Sequence, residues 1–435
     1  MIKKKIIIPI VREKRIERAS YIWNMLGSTL NAFQSVYFLM IITRVLGIDE
    51  AGIFTIAYAN ANLFLNFGKY GMRYFQVSDI KNQFSFRQYI KSRNLTVIIM
   101  CVISIMYVFL MSNVNSYSQY KSSIILWMCL WKAADAIEDV YHGDLQKNGR
   151  LDIAGKMLCL RVVTMTIVWT VLILFTKNQV VTTMGVTIYT FIYVFVSNYF
   201  VQDYFSEPIY FFKIIKLEIE ERHEIMQLIR TVFPLFLSMF LSFYIGNAPK
   251  YAIDARLSDE LQACYGFIAM PVFVIGLLNN FIFNPIVKQM SILWNEGKKK
   301  DFLKKTIRQL IIVFGITLIC IIGGYFLGVP VLSWLYHTNL TAYKSNLIMM
   351  ILGGGFLGLS GLLQTLITIQ RTQKDLMYGY LVVAMLALLF SNKIVEIYGI
   401  IGAVYLYVGL MTILSLDFTF VFFRNIVKSK KTEET

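Results

Sequence analysis

The chain is 435 residues long, 57% hydrophobic and only 16% charged, with a mean hydropathy of +0.59. Soluble globular chains carry about a quarter charged residues, so that class is excluded. About twelve spans of roughly 21 residues would use some 250 positions, which leaves no room for a large soluble domain. The formal balance of +16, from 42 Lys and Arg against 26 Asp and Glu, would point to nucleic acid in a soluble protein. In a membrane chain its distribution decides.

The opening MIKKKIIIPIVREKR holds a six-residue apolar run broken by Pro9, too short for a cleavable signal. Residues 1–19 therefore read as a basic interfacial segment feeding the first span. Apolar periodicity predicts spans at 20–43, 51–70, 94–112, 122–143, 157–176, 180–202, 231–252, 262–287, 309–328, 345–368, 376–392 and 400–423. With the N-terminus inside, 34 cations fall on inner segments and seven on outer ones, leaving Lys132 within a span. The positive-inside rule then sets both termini in the cytoplasm, and the basic excess reads as topology and contact with anionic lipid rather than nucleic acid.

The first span spaces Asn24, Ser28, Asn31 and Gln34 or Ser35 at three to four residues, and the second offers Asn60, Asn62, Asn66 and Lys69. Such amides either bond one helix to the next or line a site for a polyhydroxylated ligand. The fourth span is the richest, with Lys132, Asp135, Glu138, Asp139 and His142 in LWKAADAIEDVYHGDLQ. Helical spacing sets Lys132 with Asp135, Asp135 with Asp139 and Glu138 with His142, giving one strongly polar face. It is either a cavity wall, where carboxylates take up H⁺ or Na⁺ and Lys132 holds an anion, or a self-neutralising cluster that fixes helix rotation.

Residues 203–230 read as a cytoplasmic amphipathic linker between an N-terminal lobe, 20–202, and a C-terminal lobe, 231–423, with a cytoplasmic tail at 424–435. Six spans on each side, in the same orientation, suggest two repeated lobes. In the seventh span Pro249 disturbs the backbone ladder beside Asn247 and Lys250, so Lys250 is either a solvated helix end or an anion-attracting group. Asp417, in the last span, lacks a cation within one turn and serves either proton coupling or structure. The five cysteines form no CxxC pair and have no metal spacing. No P-loop, HExxH, GxSxG or DxD occurs, so an ATP-driven pump, an enzyme and a resident cofactor or metal are not expected.

The segments RVLGIDEAGIFTIAYANANLFLNFGKYGMR, DLQKNGRLDIAGK and GNAPKYAIDARLSDELQACYGFIAMPVFVIGLLNNFIFNPI, in this order, resemble the Wzx-type polysaccharide flippases. These belong to the multidrug/oligosaccharidyl-lipid/polysaccharide exporter superfamily. The resemblance covers essentially the whole chain and implies an all-α integral membrane protein of about twelve transmembrane helices in two six-helix lobes around a central cavity. It also implies alternating access and an undecaprenyl-pyrophosphate-linked oligosaccharide substrate for capsule, exopolysaccharide or O-antigen synthesis, in the plasma membrane. Association with a polysaccharide polymerase and glycosyltransferases is compatible with that role. Carried onto this sequence, Lys132 and Lys250 are the head-group candidates, with Lys69, Arg73 and Arg44 behind them and Asn31, Gln34, Asn62, Asn66 and Asn247 toward sugar. Asp135, Glu138 and Asp417 are the ion-coupling candidates. The alternatives are a multidrug antiporter of the same superfamily and a membrane-embedded polymerase.

Overall fold

The computed structural model describes residues 11, 13, 15–79, 81–207, 219–283 and 286–434, and the side chains of all of these except 219–221, 277, 279–282 and 429–434. The helices are α1 (Ile16–Val45), α2 (Ile48–Lys69), α3 (Met72–Ser78), α4 (Phe86–Val114), α5 (Gln119–Lys147), α6 (Leu151–Thr176) and α7 (Gln179–Val201), followed by α8 (Ile219–Arg256) and α9 (Asp259–Phe283). Then come α10 (Val287–Asn295), α11 (Lys299–Gly323), α12 (Val329–Tyr336), α13 (Lys344–Ile369) and α14 (Gln373–Glu434). A π-helical stretch, Gly324–Gly328, joins α11 to α12. No strand occurs among the described residues. Each predicted span falls on a helix, α14 taking the last two, although α4, α8 and α11 begin eight to twelve residues before the span they carry. The basic segment 1–19 and the linker 203–230 lie partly outside the described residues, and from Ile219 onward the linker sequence belongs to α8.

Eight described helical segments are long and apolar enough to cross a membrane, among them α1, α4, α6 and α7. The chain is a multi-pass membrane protein. Large apolar side chains such as Ile98, Ile105 and Phe109 on α4, and Ile311, Phe314 and Ile319 on α11, are exposed, as a lipid-facing surface requires. The predicted spans on α2, α5 and α9 fall outside this set, the first two because amides and charges dilute them.

Local chemistry sets the boundaries. Ser85 and Gln88 form a reciprocal cap at the start of α4: the Ser85 hydroxyl accepts from the Gln88 backbone N–H and the Gln88 side-chain Oε1 from the Ser85 backbone N–H. The Asn178 side chain accepts from the Val180 and Val181 N–H groups at the start of α7. Gly399 breaks α14 with φ +60° and ψ −142°, a conformation that a Cβ would strain.

The chain divides into two compact units, Met1–Phe240 and Leu241–Thr435. In the first, α5 is the central helix, packed by α2, α3, α4, α6 and α7, while α1 lies along α6. Aromatic rings fill the space beside it, with Phe38 stacked on Trp169 at 4.2 Å between centroids and close to Trp131. In the second unit the central helix is α13, packed by α9, α10, α11 and α14. Lipid supplies little hydrophobic drive for helices to associate, so close packing must do so. The triplet Gly353–Gly354–Gly355 provides it: a Cβ on each would meet Tyr407 of α14 at 2.7 Å, Ile275 and Val272 of α9 at 3.0 and 3.3 Å, and Thr317 of α11 below van der Waals contact.

Candidate functional site

The charged side chains of α5 are there because the helix is enclosed by others and does not face lipid. Lys132, Asp135, Glu138, Asp139 and His142 are each less than a tenth exposed. A charge at this depth costs several kcal/mol unless it is paired, and the pairing runs in two directions. Toward α6, Asp135 accepts from Lys132 Nζ at 2.9 Å and from the Arg161 guanidinium, whose Nε lies 3.0 Å from Glu138 Oε2. The Lys132 ammonium also sits over the Trp131 and Tyr58 rings, at 4.5 and 5.1 Å. The other oxygen of Glu138 has no hydrogen-bond partner and lies 3.8 Å from His142 Nε2, which has none either.

Asp139 turns the other way. Its Oδ2 lies 3.0 Å from Arg93 on α4, and its Oδ1 lies 3.5 Å from Arg73 on α3 and 3.9 Å from Lys69 at the end of α2. Arg93 is wholly buried and also donates to the Gly68 carbonyl at 2.6 Å, an oxygen that Thr96 shares at 2.8 Å. A cation on these free carbonyls stabilises the C-terminus of α2. The chain then reverses through Tyr70 and Gly71, both left-handed, which brings Arg73 back beside Lys69. Arg73 directs Nε and Nη2 at one neutral acceptor, Gln146 Oε1, at 3.1 and 2.9 Å.

Lys69 and Arg73 open onto a cavity of about 450 Å³ that is also lined by Asn24, Gly71, Tyr74, Val77, Ser78, Asp139, Gln146, Leu151 and Met239. Their side chains are 36% and 28% exposed, against 4% for Lys132. Beside it Phe236 stacks on Tyr70, the neighbour of the lining residues Lys69 and Gly71, at 4.3 Å between centroids. Five cations, Lys69, Arg73, Arg93, Lys132 and Arg161, surround three carboxylates, Asp135, Glu138 and Asp139, so with His142 neutral the group carries a surplus of two positive charges. An accessible Arg–Lys pair with spare donors suits a phosphate oxygen.

The structure therefore places Lys132, Asp135 and Glu138 in one ion group, to which it adds Arg161, and Lys69 and Arg73 in a second around Asp139, to which it adds Arg93. The single polar face expected on α5 is instead two, with Asp135 and Asp139 serving different neighbours. Arg161 falls within the predicted fifth span and Arg93 borders the third, yet sorting cations by side counted both as interfacial. Their signal was depth: each stands about as far from its helix end as the α5 carboxylates do. The other candidates stay apart. Arg44 ends α1, about 30 Å along that helix from Asn24 at 1.5 Å per residue. Gln34 donates to the Val162 carbonyl and the Thr166 hydroxyl of α6, and Asn62 and Asn66 each donate to a carbonyl of their own helix. Asn31 is half-buried on α1 and does not line the cavity. Asn247, Lys250 and Asp417 belong to the second unit: Asn247 donates to the Phe243 carbonyl, Lys250 is half-buried, and Asp417 Oδ2 packs against Gly379 with no hydrogen-bond partner.

Comparison with solved structures decides the fold. An inward-facing multidrug resistance MATE family transporter of the MOP superfamily superposes with a TM-score of 0.62 at 12% identity, covering 94% of this chain and 96% of that one. The fold is that of the MOP-superfamily transporters. The lipid II flippase MurJ, in an inward closed conformation, gives a TM-score of 0.67 at 15% identity over 95% of this chain and 90% of its own. A MOP superfamily transporter from Pyrococcus furiosus, described as having a binding pocket of reversed polarity, gives 0.53 at 14% identity over 98% and 99%. No family model matches the sequence. Among curated proteins, the capsular polysaccharide biosynthesis protein CapF of Staphylococcus aureus is 23% identical over 282 residues, 64% of this chain and 69% of that protein.

Proposed function

We propose that this chain is a flippase that carries undecaprenyl-pyrophosphate-linked oligosaccharide repeat units across the plasma membrane by alternating access, for capsule, exopolysaccharide or O-antigen synthesis, with both termini cytoplasmic. The observation that carries this reading is the cavity, where Lys69 and Arg73 are accessible and the surrounding ion group is two charges positive. A pyrophosphate bears charge of the opposite sign, and Asn24, Ser78 and Tyr74 beside it can donate and accept bonds with sugar hydroxyls. The fold shared with a lipid II flippase and the similarity to a capsular polysaccharide protein support the same substrate class. Head-group attraction is assigned to Lys69 and Arg73 rather than to Lys132, whose charge Asp135 neutralises out of reach of the cavity.

Ion coupling is assigned to Glu138. Asp135 is held by two cations, whereas one oxygen of Glu138 has no bond and faces His142, so a proton can settle between them. A cationic-drug antiporter fits less well, because Asp139, the one carboxylate among the described residues that line the cavity, is already engaged by cations. The deciding experiment reconstitutes the protein in proteoliposomes with a fluorescent undecaprenyl-pyrophosphate-linked glycan and follows its protection from an external quencher. Translocation is expected. Its absence, together with drug resistance on expression and intact polysaccharide on deletion, would overturn the reading in favour of the antiporter.

A further inference from the structure

Three cations converge on Asp139, and they are not equivalent. Arg93 lies 3.0 Å away and has no exposure, and its second terminal nitrogen is taken by the Gly68 carbonyl. Arg73 and Lys69 are 3.5 and 3.9 Å away, beyond the 2.7–2.9 Å of a strong charge-assisted bond, and both open onto the cavity. Gln146 fixes the Arg73 guanidinium through two nitrogens without neutralising it, leaving Nη1 for Asp139 or for something else. The carboxylate itself lines the cavity. One cation thus anchors Asp139 permanently while two touch it loosely.

We propose that Asp139 is a resident counter-anion, which holds Arg73 and Lys69 while the site is empty and competes with the substrate phosphate for them. On binding, Arg73 Nη1 and Lys69 Nζ exchange the carboxylate oxygen for a phosphate oxygen, and Asp139 keeps its pair with Arg93. On release, the carboxylate takes the two cations back, so neither is left bare in a poorly solvated place. No bond is made or broken in the exchange. Asp139 thereby weakens binding and speeds departure, which suits a carrier that must let go of what it binds. This rests on the head-group reading above, since it needs a phosphate to compete with.

The test separates direct competition from overall charge. R93M/D139L removes one cation and one anion, so the net charge around the cavity is unchanged and no buried arginine is stranded. Binding of inorganic pyrophosphate and of undecaprenyl pyrophosphate to purified protein is measured by calorimetry in detergent, and translocation in proteoliposomes. The double variant is expected to bind both probes roughly tenfold more tightly, the size of one charge contact at partial exposure, and to turn over more slowly at saturation. Tightening for the lipid probe alone would assign the site to a membrane-anchored head group and still support the exchange. Binding at wild-type strength or weaker in a folded R93M/D139L would overturn the counter-anion while leaving the head-group site standing. Should wild type bind neither probe, the head-group reading falls and the counter-anion with it. If R93M/D139L does not fold, R93Q/D139N, which likewise keeps the net charge and leaves no buried arginine unpaired, carries the test in the same direction.

Discussion

Asp135 and Asp139 are one helical turn apart on α5, yet their losses should be felt differently. Asp135 neutralises Lys132 and Arg161, both almost fully buried. Asp135→Ala would strand Lys132 and leave Arg161 with Glu138 alone, and breaking a buried pair in this way costs about 3–5 kcal/mol. A large drop in the detergent melting temperature is expected, and a melt within a degree or two of wild type would contradict it. Lys69 and Arg73 are partly exposed and far less important to folding. The double variant K69A/R73A should therefore melt close to wild type while losing tenfold or more in pyrophosphate binding, and wild-type binding should weaken as salt is raised. Glu138→Gln keeps shape and removes a proton site; translocation driven by a pH gradient should then no longer follow the gradient in proteoliposomes. The α5 cluster was readable from sequence because its spacing is local. Arg93 and Arg161 were not, because they meet it from other helices and no local pattern reports which way a side chain faces.

At the scale of elements, the segment between α3 and α4 ties the region beside the cavity together through one carboxylate. Burial alone would push the Asp79 carboxyl up. The Gln83 and Phe84 N–H groups, the Tyr89 hydroxyl and nearby Lys147 outweigh it and hold the carboxyl below its ordinary range. A depressed folded-state value means that the contribution to stability is complete above the unfolded value near 3.9 and fades as pH falls through the folded one. Asp79→Asn should accordingly be less stable than wild type at neutral pH, with the gap closing below about pH 4 in thermal melts. Equal melting at pH 7 would count against this role. In the second unit the sensitive element is α13. Gly354→Leu has no space against Val272 and Ile275, and overpacking of this kind costs about 1–3 kcal/mol or more. It should lower the melting temperature without changing the affinity for pyrophosphate. The twelve spans were legible in sequence because lipid imposes length and apolarity. The short α3, which carries Arg73 into the cavity, was not, since seven residues are too few to show a period.

Across the whole molecule, the fourth predicted span of each half becomes the central helix of its unit, α5 in the first and α13 in the second. Two parallel halves were suggested by counting spans. The chemistry of the two central helices is opposite. α5 holds its neighbours by ion pairs, while α13 carries three consecutive glycines and no charged residue after Lys344. Sequence revealed that contrast in composition but not its meaning, because centrality is a property of packing.

The contrast between α5 and α13 has a consequence for how the two halves can diverge over evolution. Substitutions on α5 are filtered by sign, since a change of charge must be answered by a partner on another helix, so its positions should change in correlated pairs. Those on α13 are filtered by size, one position at a time. Related chains that carry different glycans could therefore alter the first half by exchanging charges in concert, while the second drifts freely in polarity and hardly at all in girth.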